Sequence, residues 1–316
     1  NGYDIKNRFF GNISALSKLG SFLAPLSNWM MSIPGSKQLL EQYVGIDSRR
    51  PLPKFASQTF TQWFKARGGS PAAAATKGQV LLFPDTTTNF NHPELGIAAV
   101  EVIEKLGYQV ILPNVKCCGR PMLSNGMIDA AKENISFNID QIYPYIENGA
   151  KLVGIEPSCV LGFLGDFGDL VDDPGKTDAI AENTMLIEEF FLYAIENVSE
   201  ILFQHAPKNQ TAVLHGHCHQ KALVGTSAAM QVLEHIPGLN ASEVKSGCCG
   251  MAGSFGYLKD HYEISMQIGE ETLFPKLRNE DEDTLVITEG VSCREQIEQG
   301  TGKKSKHLVQ VLAEYL

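Results

Sequence analysis

The seven cysteines are the residues of this chain with the clearest capacity for chemistry, and they stand at positions 117, 118, 159, 218, 248, 249 and 293. Their number is odd and two pairs are vicinal, which argues against the disulfide framework of a secreted protein and for reduced thiols in a cytosolic compartment. Thiols of this kind serve packing, metal binding or catalysis. Their placement in the fold must decide among these roles.

Four cysteines of the second half, at positions 218, 248, 249 and 293, are far apart in sequence but follow neighbouring predicted strands. Four thiolates brought together suit either zinc or an iron-sulfur cluster. Consecutive side chains of an extended backbone point to opposite sides, so a vicinal pair reaches different metals of one cluster more easily than it grips one ion. Gly250 and Gly253 indicate a backbone that approaches the site and donates N–H groups to cluster sulfurs.

The alternative for any single cysteine is a small buried hydrophobic residue. Two Cys-Cys-Gly triplets in matching places of a repeat favour metal binding instead. His215, His217 and His219 flank Cys218, and a zinc site that uses a histidine is one interpretation. A hydrogen-bonding role for these histidines is the more common case. Glu156 and Glu289 precede cysteines and could modulate a cluster potential or a proton step, although solvated carboxylates at strand ends are commoner.

The elements that position the cysteines repeat along the chain. In the first copy, strands are predicted at 80–83, 108–112 and 151–155, with helices at 94–106 and 128–146. In the second copy, strands are predicted at 212–214, near Val244 and at 284–287, with helices at 227–235 and 262–277. Each Cys-Cys-Gly triplet follows the second strand of its copy, and Cys159 and Cys293 follow the third.

Alternating strands and helices predict an α/β fold of two pseudo-repeated parallel-sheet halves with helices on both faces. Ligands in such sheets bind beyond the carboxyl ends of the strands, where all the cysteines are expected. A helical N-terminal segment precedes the halves. The predicted segments are a leader and linker at 1–77, a first repeat at 78–175, a connecting helix within 176–210 (over 183–203) and a second repeat at 211–316.

The composition is that of a globular chain of about two domains, with 316 residues, 43% hydrophobic and 20% charged. The net charge of -10 excludes general nucleic-acid binding by phosphate neutralisation. We expect no secretory leader and a cytoplasmic location. The uncharged run between Lys18 and Lys37 is too polar for a membrane span and is typical of an amphipathic or docking segment. No nucleophile elbow, dinucleotide fingerprint or complete phosphate loop is present, so we expect no substrate chemistry on the chain itself.

Four sequence strings resemble the cysteine-rich "CCG" domain family, over about residues 78–316. They are 116–121 (KCCGRP), 156–159 (EPSC), 215–222 (HGHCHQKA) and 247–253 (GCCGMAG). The family occurs in the B subunit of heterodisulfide reductase and in iron-sulfur subunits of glycolate oxidase, anaerobic glycerol-3-phosphate dehydrogenase and lactate-utilisation enzymes. With the helical leader and residues 50–53 (RPLP), the chain looks most like the C-terminal region of long bacterial fusions, in which a flavin-linked 2-hydroxyacid oxidase and a ferredoxin-like segment precede a CCG region.

The resemblance implies a 4Fe-4S cluster that relays electrons from FAD on a partner domain or subunit, absent from this chain, toward a quinone or another acceptor. It also implies a flavin dehydrogenase and a ferredoxin-like segment as partners, and contact with a quinone or with the inner face of the membrane. Two alternatives stay open. One is a thiol-disulfide reductase of the heterodisulfide type, and the other is a zinc-stabilised scaffold without a redox role.

The chain departs from the family pattern of a lone Cys, then Cys-Cys-Gly, then Cys-x-x-Cys. In the second half the last pair is reduced to Cys293, with Gln296 at the place of its second cysteine. In the first half the lone position falls at Asp85 or Thr86, and Gly162 follows Cys159. The predicted cluster site is therefore Cys218, Cys248, Cys249, Cys293, Gly250 and Gly253. The weaker metal candidates are Cys117, Cys118 and Cys159, in a vestigial or shared first site.

Overall fold

The first half contains a four-stranded parallel sheet with the strand order β2-β1-β3-β4. The structure is a computed structural model that describes residues 2–72, 76–196 and 203–316. The strands are β1 (Gly78–Leu82), β2 (Tyr108–Ile111), β3 (Lys151–Gly154) and β4 (Thr184–Leu186). Val80, Leu81 and Leu82 are all buried, because both faces of a parallel sheet are covered by helices.

The helices around this sheet are short, apart from two. They are α6 (Thr86–Phe90), α7 (Pro93–Lys105), α8 (Arg120–Ser124), α9 (Ile128–Glu147), α10 (Pro157–Val160), α11 (Pro174–Glu182) and α12 (Ile187–Ile195), with 3-10 turns at Leu161–Leu164 and Gly168–Leu170. Proline at the first turn favours the start of α7, and its buried stripe includes Leu95, Val102 and Ile103. Gly107, at φ +90°, reverses the chain into β2.

The second half has the same topology, with the strand order β6-β5-β7-β8. Its strands are β5 (Gln210–Leu214), β6 (Leu239–Glu243), β7 (Leu285–Ile287) and β8 (Ser305–Lys306). Its helices are α13 (Cys218–Leu223), α14 (Ser227–Glu234), α15 (Tyr262–Glu271), α16 (Leu273–Arg278), α17 (Val291–Thr301) and α18 (Leu308–Tyr315), with 3-10 turns at Phe255–Tyr257 and Lys259–His261. The predicted α/β fold of two repeated parallel-sheet halves is confirmed.

One hydrophobic core joins the halves. It contains Leu82 and Val153 of the first sheet together with Leu214 and Ile287 of the second, and the buried faces of α7, α12, α14 and α18 lie in the same cluster. Two further cores lie on the other faces of the sheets. Because the halves share one core, the carboxyl ends of their strands are held in a fixed relation.

The N-terminal leader is helical, as predicted. It forms α1 (Ile5–Gly11), α2 (Ile13–Phe22), α3 (Ala24–Ser32), α4 (Ser36–Val44) and α5 (Phe60–Ala66). Most of the exposed large apolar side chains among the described residues lie within its first 43 positions, including Phe22 (83% exposed) and Trp29 (61%). No helix in the described ranges is both long enough and apolar enough to cross a membrane.

Several predicted elements differ from the structure. Each half has a fourth strand, β4 or β8, that was not predicted from the sequence. A strand of two or three residues is too short to show an alternating pattern of apolar and polar residues. The helix expected over 183–203 is β4 followed by α12, and residues 197–202 lie outside the described part of the chain. The strand near Val244 is β6, which ends one residue earlier, and the helix over 262–277 is divided into α15 and α16. The four segment boundaries drawn from the sequence stay a proposal.

Candidate metal centre

Every cysteine lies beyond the carboxyl end of a strand. Cys117 and Cys118 follow β2, Cys159 follows β3, Cys248 and Cys249 follow β6, and Cys293 follows β7. Cys218 follows β5 and is the first residue of α13. The two cysteine groups adjoin each other, because α10 packs against α13. Across this boundary, the main-chain N–H of Val291 donates a 2.9 Å hydrogen bond to the carboxylate of Glu156.

The four cysteines of the second half form a contiguous row of sulfurs. Cys218 contacts Cys248, Cys248 contacts Cys249, and Cys249 contacts Cys293. Hydrogen bonds from the Cys218 and Cys249 thiols lower the pKa of Cys248 to about 2. A hydrogen bond from Cys249, with a further contribution from His215, holds the pKa of Cys293 well below its usual value. The contacts along the row therefore favour the thiolate form of Cys248 and Cys293, which is the form that binds metals.

The loop after the vicinal pair brings its backbone close to the sulfurs. The N–H of Gly250 donates a 3.3 Å hydrogen bond to Sγ of Cys248. Gly250 has φ +96°, and a Cβ there would lie 2.1 Å from the main-chain oxygen of Ser265, so only glycine fits. Gly253 also has positive φ, at +62°, but a Cβ there would meet no atom of the described residues within 4 Å. Gly250 is thus fixed by both conformation and space, and Gly253 by conformation alone.

His215 belongs to the same site. A ring nitrogen of His215 and the sulfurs of Cys249 and Cys293 lie within 4.8 Å of one another, and all three residues are buried. Nδ1 of His215 pairs with the hydroxyl of Ser246 at 3.0 Å, and within the described part of the chain its Nε2 is buried without a hydrogen-bond partner. The sequence placed His215 beside Cys218, whereas the fold places it against Cys249 and Cys293. His217 instead caps α13 and accepts a hydrogen bond from the N–H of His219.

The three cysteines of the first half also contact one another, but their pKa values are shifted differently from those of Cys248 and Cys293. The hydrogen bond with Cys118 and burial raise the pKa of Cys117. The contact with Cys117 lowers the pKa of Cys118, but Cys159 and burial raise it on balance. A hydrogen bond from Cys118 lowers the pKa of Cys159, yet burial and the carboxylates of Asp85 and Glu156 raise it to about 11. The pKa values of all three thiols are thus raised, whereas those of Cys248 and Cys293 are lowered.

The two candidates for the lone position of the first half do not replace a cysteine in the same way. Asp85 caps α6, where Oδ1 accepts hydrogen bonds from the N–H groups of Thr87 and Thr88, and Oδ2 is buried without a partner among the residues that the structure describes. The hydroxyl of Thr86 hydrogen-bonds the sulfur of Cys117. Gly162, at the place of the last cysteine, is packed under the ring of Phe167, where a Cβ would lie 2.2 Å from the ring.

Gln296 stands where the family pattern has a second cysteine, and its amide is fully committed. Nε2 donates to the main-chain oxygen of Ser265 at 2.9 Å, and Oε1 accepts from the guanidinium of Arg50 at 2.7 Å. Arg50 is 0% exposed and also donates to the main-chain oxygen of Gly256 and to the hydroxyl of Ser265. The leader therefore supports the loop and the helix that carry Cys249 and Cys293.

The carboxylates beside the cysteines are buried, so the solvated interpretation of Glu156 and Glu289 is wrong. Glu156 is 6% exposed and accepts hydrogen bonds from Ser158 as well as Val291. Glu289 is 1% exposed and lies against Glu188.

Sequence reasoning missed Glu188 and Arg50, because they are remote from the cysteines along the chain. The string RPLP at 50–53 was the one available signal for Arg50.

Comparison with known protein families gives a match to the cysteine-rich domain. The family model matches this chain twice, over residues 84–163 and 212–298, which are the two cysteine-bearing repeats. The two matches together include all seven cysteines.

Individual proteins of known name are also similar to the chain. The C subunit of the anaerobic glycerol-3-phosphate dehydrogenase of Escherichia coli is 29% identical over 99% of this chain and 77% of its own length. The D-2-hydroxyglutarate dehydrogenase of Pseudomonas putida is 26% identical over 93% of this chain, which corresponds to 29% of that protein. Lactate utilization protein A of Bacillus subtilis is 28% identical over 75% of this chain and 98% of its own length.

Proposed function

This chain belongs to the cysteine-rich domain family, and from that membership we propose that it is the iron-sulfur electron-transfer module of a flavin-linked 2-hydroxyacid dehydrogenase. The relatives support an oxidoreductase role, since two of them are named as dehydrogenases or dehydrogenase subunits. In this proposal, the hydride chemistry occurs on FAD held by a partner domain or subunit. The chain relays the electrons toward a quinone or another acceptor.

The observation that carries the proposal is the row of four sulfurs from Cys218 to Cys293. Cys218, Cys248, Cys249 and Cys293 would hold a 4Fe-4S cluster, which when bound supplies reversible one-electron acceptance. The donor set fits this group, because the pKa values of Cys248 and Cys293 are lowered, which favours thiolates, and sulfur is the ligand that iron-sulfur clusters take. Cys117, Cys118 and Cys159 have raised pKa values and form the weaker candidate site.

The surrounding residues have separate tasks in this proposal. The N–H of Gly250 stabilises negative charge on the sulfur of Cys248. Burial of Cys249 and Cys293 excludes water from one side of the site. Cys218 is exposed and marks the side from which a redox partner approaches. His215 is the nitrogen donor nearest the buried sulfurs and orients toward them through its bond to Ser246.

The flavin dehydrogenase and the ferredoxin-like segment remain proposals as partners, as do a quinone acceptor and a cytoplasmic location with contact at the inner membrane face. Support for a dehydrogenase partner comes from the D-2-hydroxyglutarate dehydrogenase relative, of which the chain matches only 29%. The names of the relatives do not agree on one substrate, so the hydroxy acid is left at its class.

Metal content tests the proposal most directly. The full chain is purified without oxygen, reconstituted with iron and sulfide, and assayed for iron, acid-labile sulfide and an EPR signal on reduction or oxidation. We expect a brown protein with iron and sulfide in comparable amounts. Zinc without iron under the same conditions would refute the electron-transfer role and favour a scaffold, because a tetrahedral thiolate set also binds zinc.

A further inference from the structure

Two carboxylic acids meet in the interior, between the two halves. Glu188 is the second residue of α12 in the first half, and Glu289 follows β7 in the second. Each is 1% exposed, and their carboxyl groups lie side by side. Two negative charges on neighbouring carboxyl groups in a buried site repel strongly. Without a cation, the two groups therefore cannot both be ionised at neutral pH.

Gln220 gives the two carboxyl groups different roles. Its Oε1 accepts a 3.1 Å hydrogen bond from the main-chain N–H of His217, which fixes the orientation of the amide. Its Nε2 then donates a 2.6 Å hydrogen bond to Oε1 of Glu188. Glu188 is therefore the acceptor of the pair. Both oxygens of Glu289 are buried and have no hydrogen-bond donor within normal distance among the described residues, which suits a protonated acid.

The neighbouring charged and titratable groups make their hydrogen bonds with partners other than the carboxyl groups of Glu188 and Glu289. On the same helix, Glu189 accepts from the N–H of Leu186. Glu156, after β3, accepts from Val291, and Arg294 of α17 donates to the main-chain oxygen of Glu289 rather than to its carboxyl group. His307, before α18, pairs with the main-chain oxygen of Ile155. In the part of the chain that the structure describes, no cation forms an ion pair with Glu188 or Glu289.

We propose that Glu188 and Glu289 form a buried proton-binding site that takes up a proton when an electron reaches the thiol site of the second half. This inference rests on the proposed function. The connection to that site is short in the chain, because Gln220 lies two residues after Cys218 on α13 and Glu289 lies four residues before Cys293. An added negative charge at the thiol site raises the proton affinity of the nearest buried carboxylate.

The titration of the two groups agrees with this geometry. Burial raises the pKa of Glu188 to about 7. Burial, followed by the charge of Glu188, raises the pKa of Glu289 well above its usual value. The pair therefore holds one proton at neutral pH and exchanges a second near pH 7, as a coupled unit.

The step balances in charge and atoms. A cluster held by Cys218, Cys248, Cys249 and Cys293 would accept one electron from the reduced flavin of the partner, and solvent would give one proton to the Glu188 carboxylate, which becomes a carboxylic acid. When the acceptor removes the electron, the proton returns to solvent. Proton uptake keeps the buried charge between the halves constant, so electron transfer through this region does not accumulate charge in a low-dielectric interior.

The first arm of the test uses the full chain without metal. Urea unfolding of the wild type is compared with the double variant Glu188→Gln, Glu289→Gln between pH 5 and pH 8. Because the folded pair holds two protons below about pH 7 and one above it, whereas the unfolded carboxyl groups hold almost none, we expect the unfolding constant of the wild type, relative to the variant, to rise roughly a hundredfold per pH unit from pH 5 to about pH 7 and roughly tenfold per pH unit above that. The matched control, Glu182→Gln on the exposed end of α11, should follow the wild type. A ratio of the wild-type and double-variant unfolding constants that does not change with pH would overturn the buried proton-binding site.

The second arm uses the iron-loaded full chain. We expect the midpoint potential of the wild type, and of Glu182→Gln, to fall as pH rises through 7, and the potential of the double variant to be independent of pH there. An iron-loaded wild type whose potential does not depend on pH, or a double variant with the wild-type dependence, would overturn the coupling alone. A chain that takes up no iron would overturn the proposed function together with the coupling, while the first arm still decides on the buried proton-binding site.

Discussion

Nη1 of Arg50 donates a 2.7 Å hydrogen bond to Oε1 of Gln296, at the position where the family pattern has a cysteine. The bond joins the N-terminal leader to helix α17, which also carries Cys293. The side chain of Gln296 is fully buried and is held from its other end by Ser265. The place of the missing ligand is therefore filled by a structural amide, and the leader is part of the support of the site.

Replacing Arg50 by methionine should destabilise the chain by about 3 kcal/mol, because it leaves the main-chain oxygen of Gly256 and the amide of Gln296 buried without their donor. The measurement is urea unfolding of the metal-free full chain. Arg278→Met is the matched control, since Arg278 pairs with exposed Glu270, and surface pairs contribute less than about 1 kcal/mol. Equal losses from both variants would contradict a supporting role for Arg50.

Replacing Cys248 or Cys249 by serine should abolish cluster assembly while leaving most of the fold, because each removes a sulfur from the middle of the row. Cys117→Ser should reduce iron content much less. The readouts are iron and sulfide content after anaerobic reconstitution, with circular dichroism to follow the fold. If the three variants lost iron to the same extent, the assignment of the site to the second half would be wrong.

Gly250→Ala and Gly253→Ala separate steric crowding from backbone conformation. Both glycines have positive φ, which costs a side chain about 1 kcal/mol or slightly more. Only at position 250 would the added Cβ also collide with the main-chain oxygen of Ser265. We expect a loss of about 3 kcal/mol for Gly250→Ala, in the range of strong steric strain, and about 1 kcal/mol for Gly253→Ala. The free energy of unfolding measures both, and comparable losses would argue against a tight Gly250 site.

His307 should make the folded chain less stable in mild acid. Burial lowers its pKa to about 3, so the unfolded chain, with a histidine pKa near 6.5, binds the proton that the folded chain excludes. The unfolding free energy contributed by this group is complete above about pH 6.5 and falls by about 1.4 kcal/mol per pH unit below it.

The control for this prediction is His307→Asn, which can still cap α18 through its side-chain oxygen. The variant should lose the contribution of His307 to the acid slope between pH 6.5 and pH 5, although it also loses the hydrogen bond to Ile155. Urea midpoints of the two proteins across that range are compared. Parallel pH profiles would mean that His307 is not the group that titrates.

The sequence was sufficient for the order of the elements and for their cysteines. The repeat, the parallel strands β1, β2, β3, β5, β6 and β7, and the position of every thiol beyond a strand end follow from apolar periodicity and from the rule that parallel strands share one functional edge. Strands β4 and β8 could not be found in this way. A strand of two or three residues shows no periodic pattern of apolar residues, and its place in the sheet is decided by its pairing with the neighbouring strand.

The class of fold and the positions of the cysteines after the strands could thus be read from the amino-acid order, because both depend on patterns local to each segment. The groups that surround those cysteines were decided by the folded chain. Folding brought His215 against Cys249 and Cys293, placed Arg50 beside Gln296, and joined Glu188 to Glu289 across the two halves. Burial and contact between remote segments set the charge of such groups, and neither quantity is encoded in the spacing of residues along the chain.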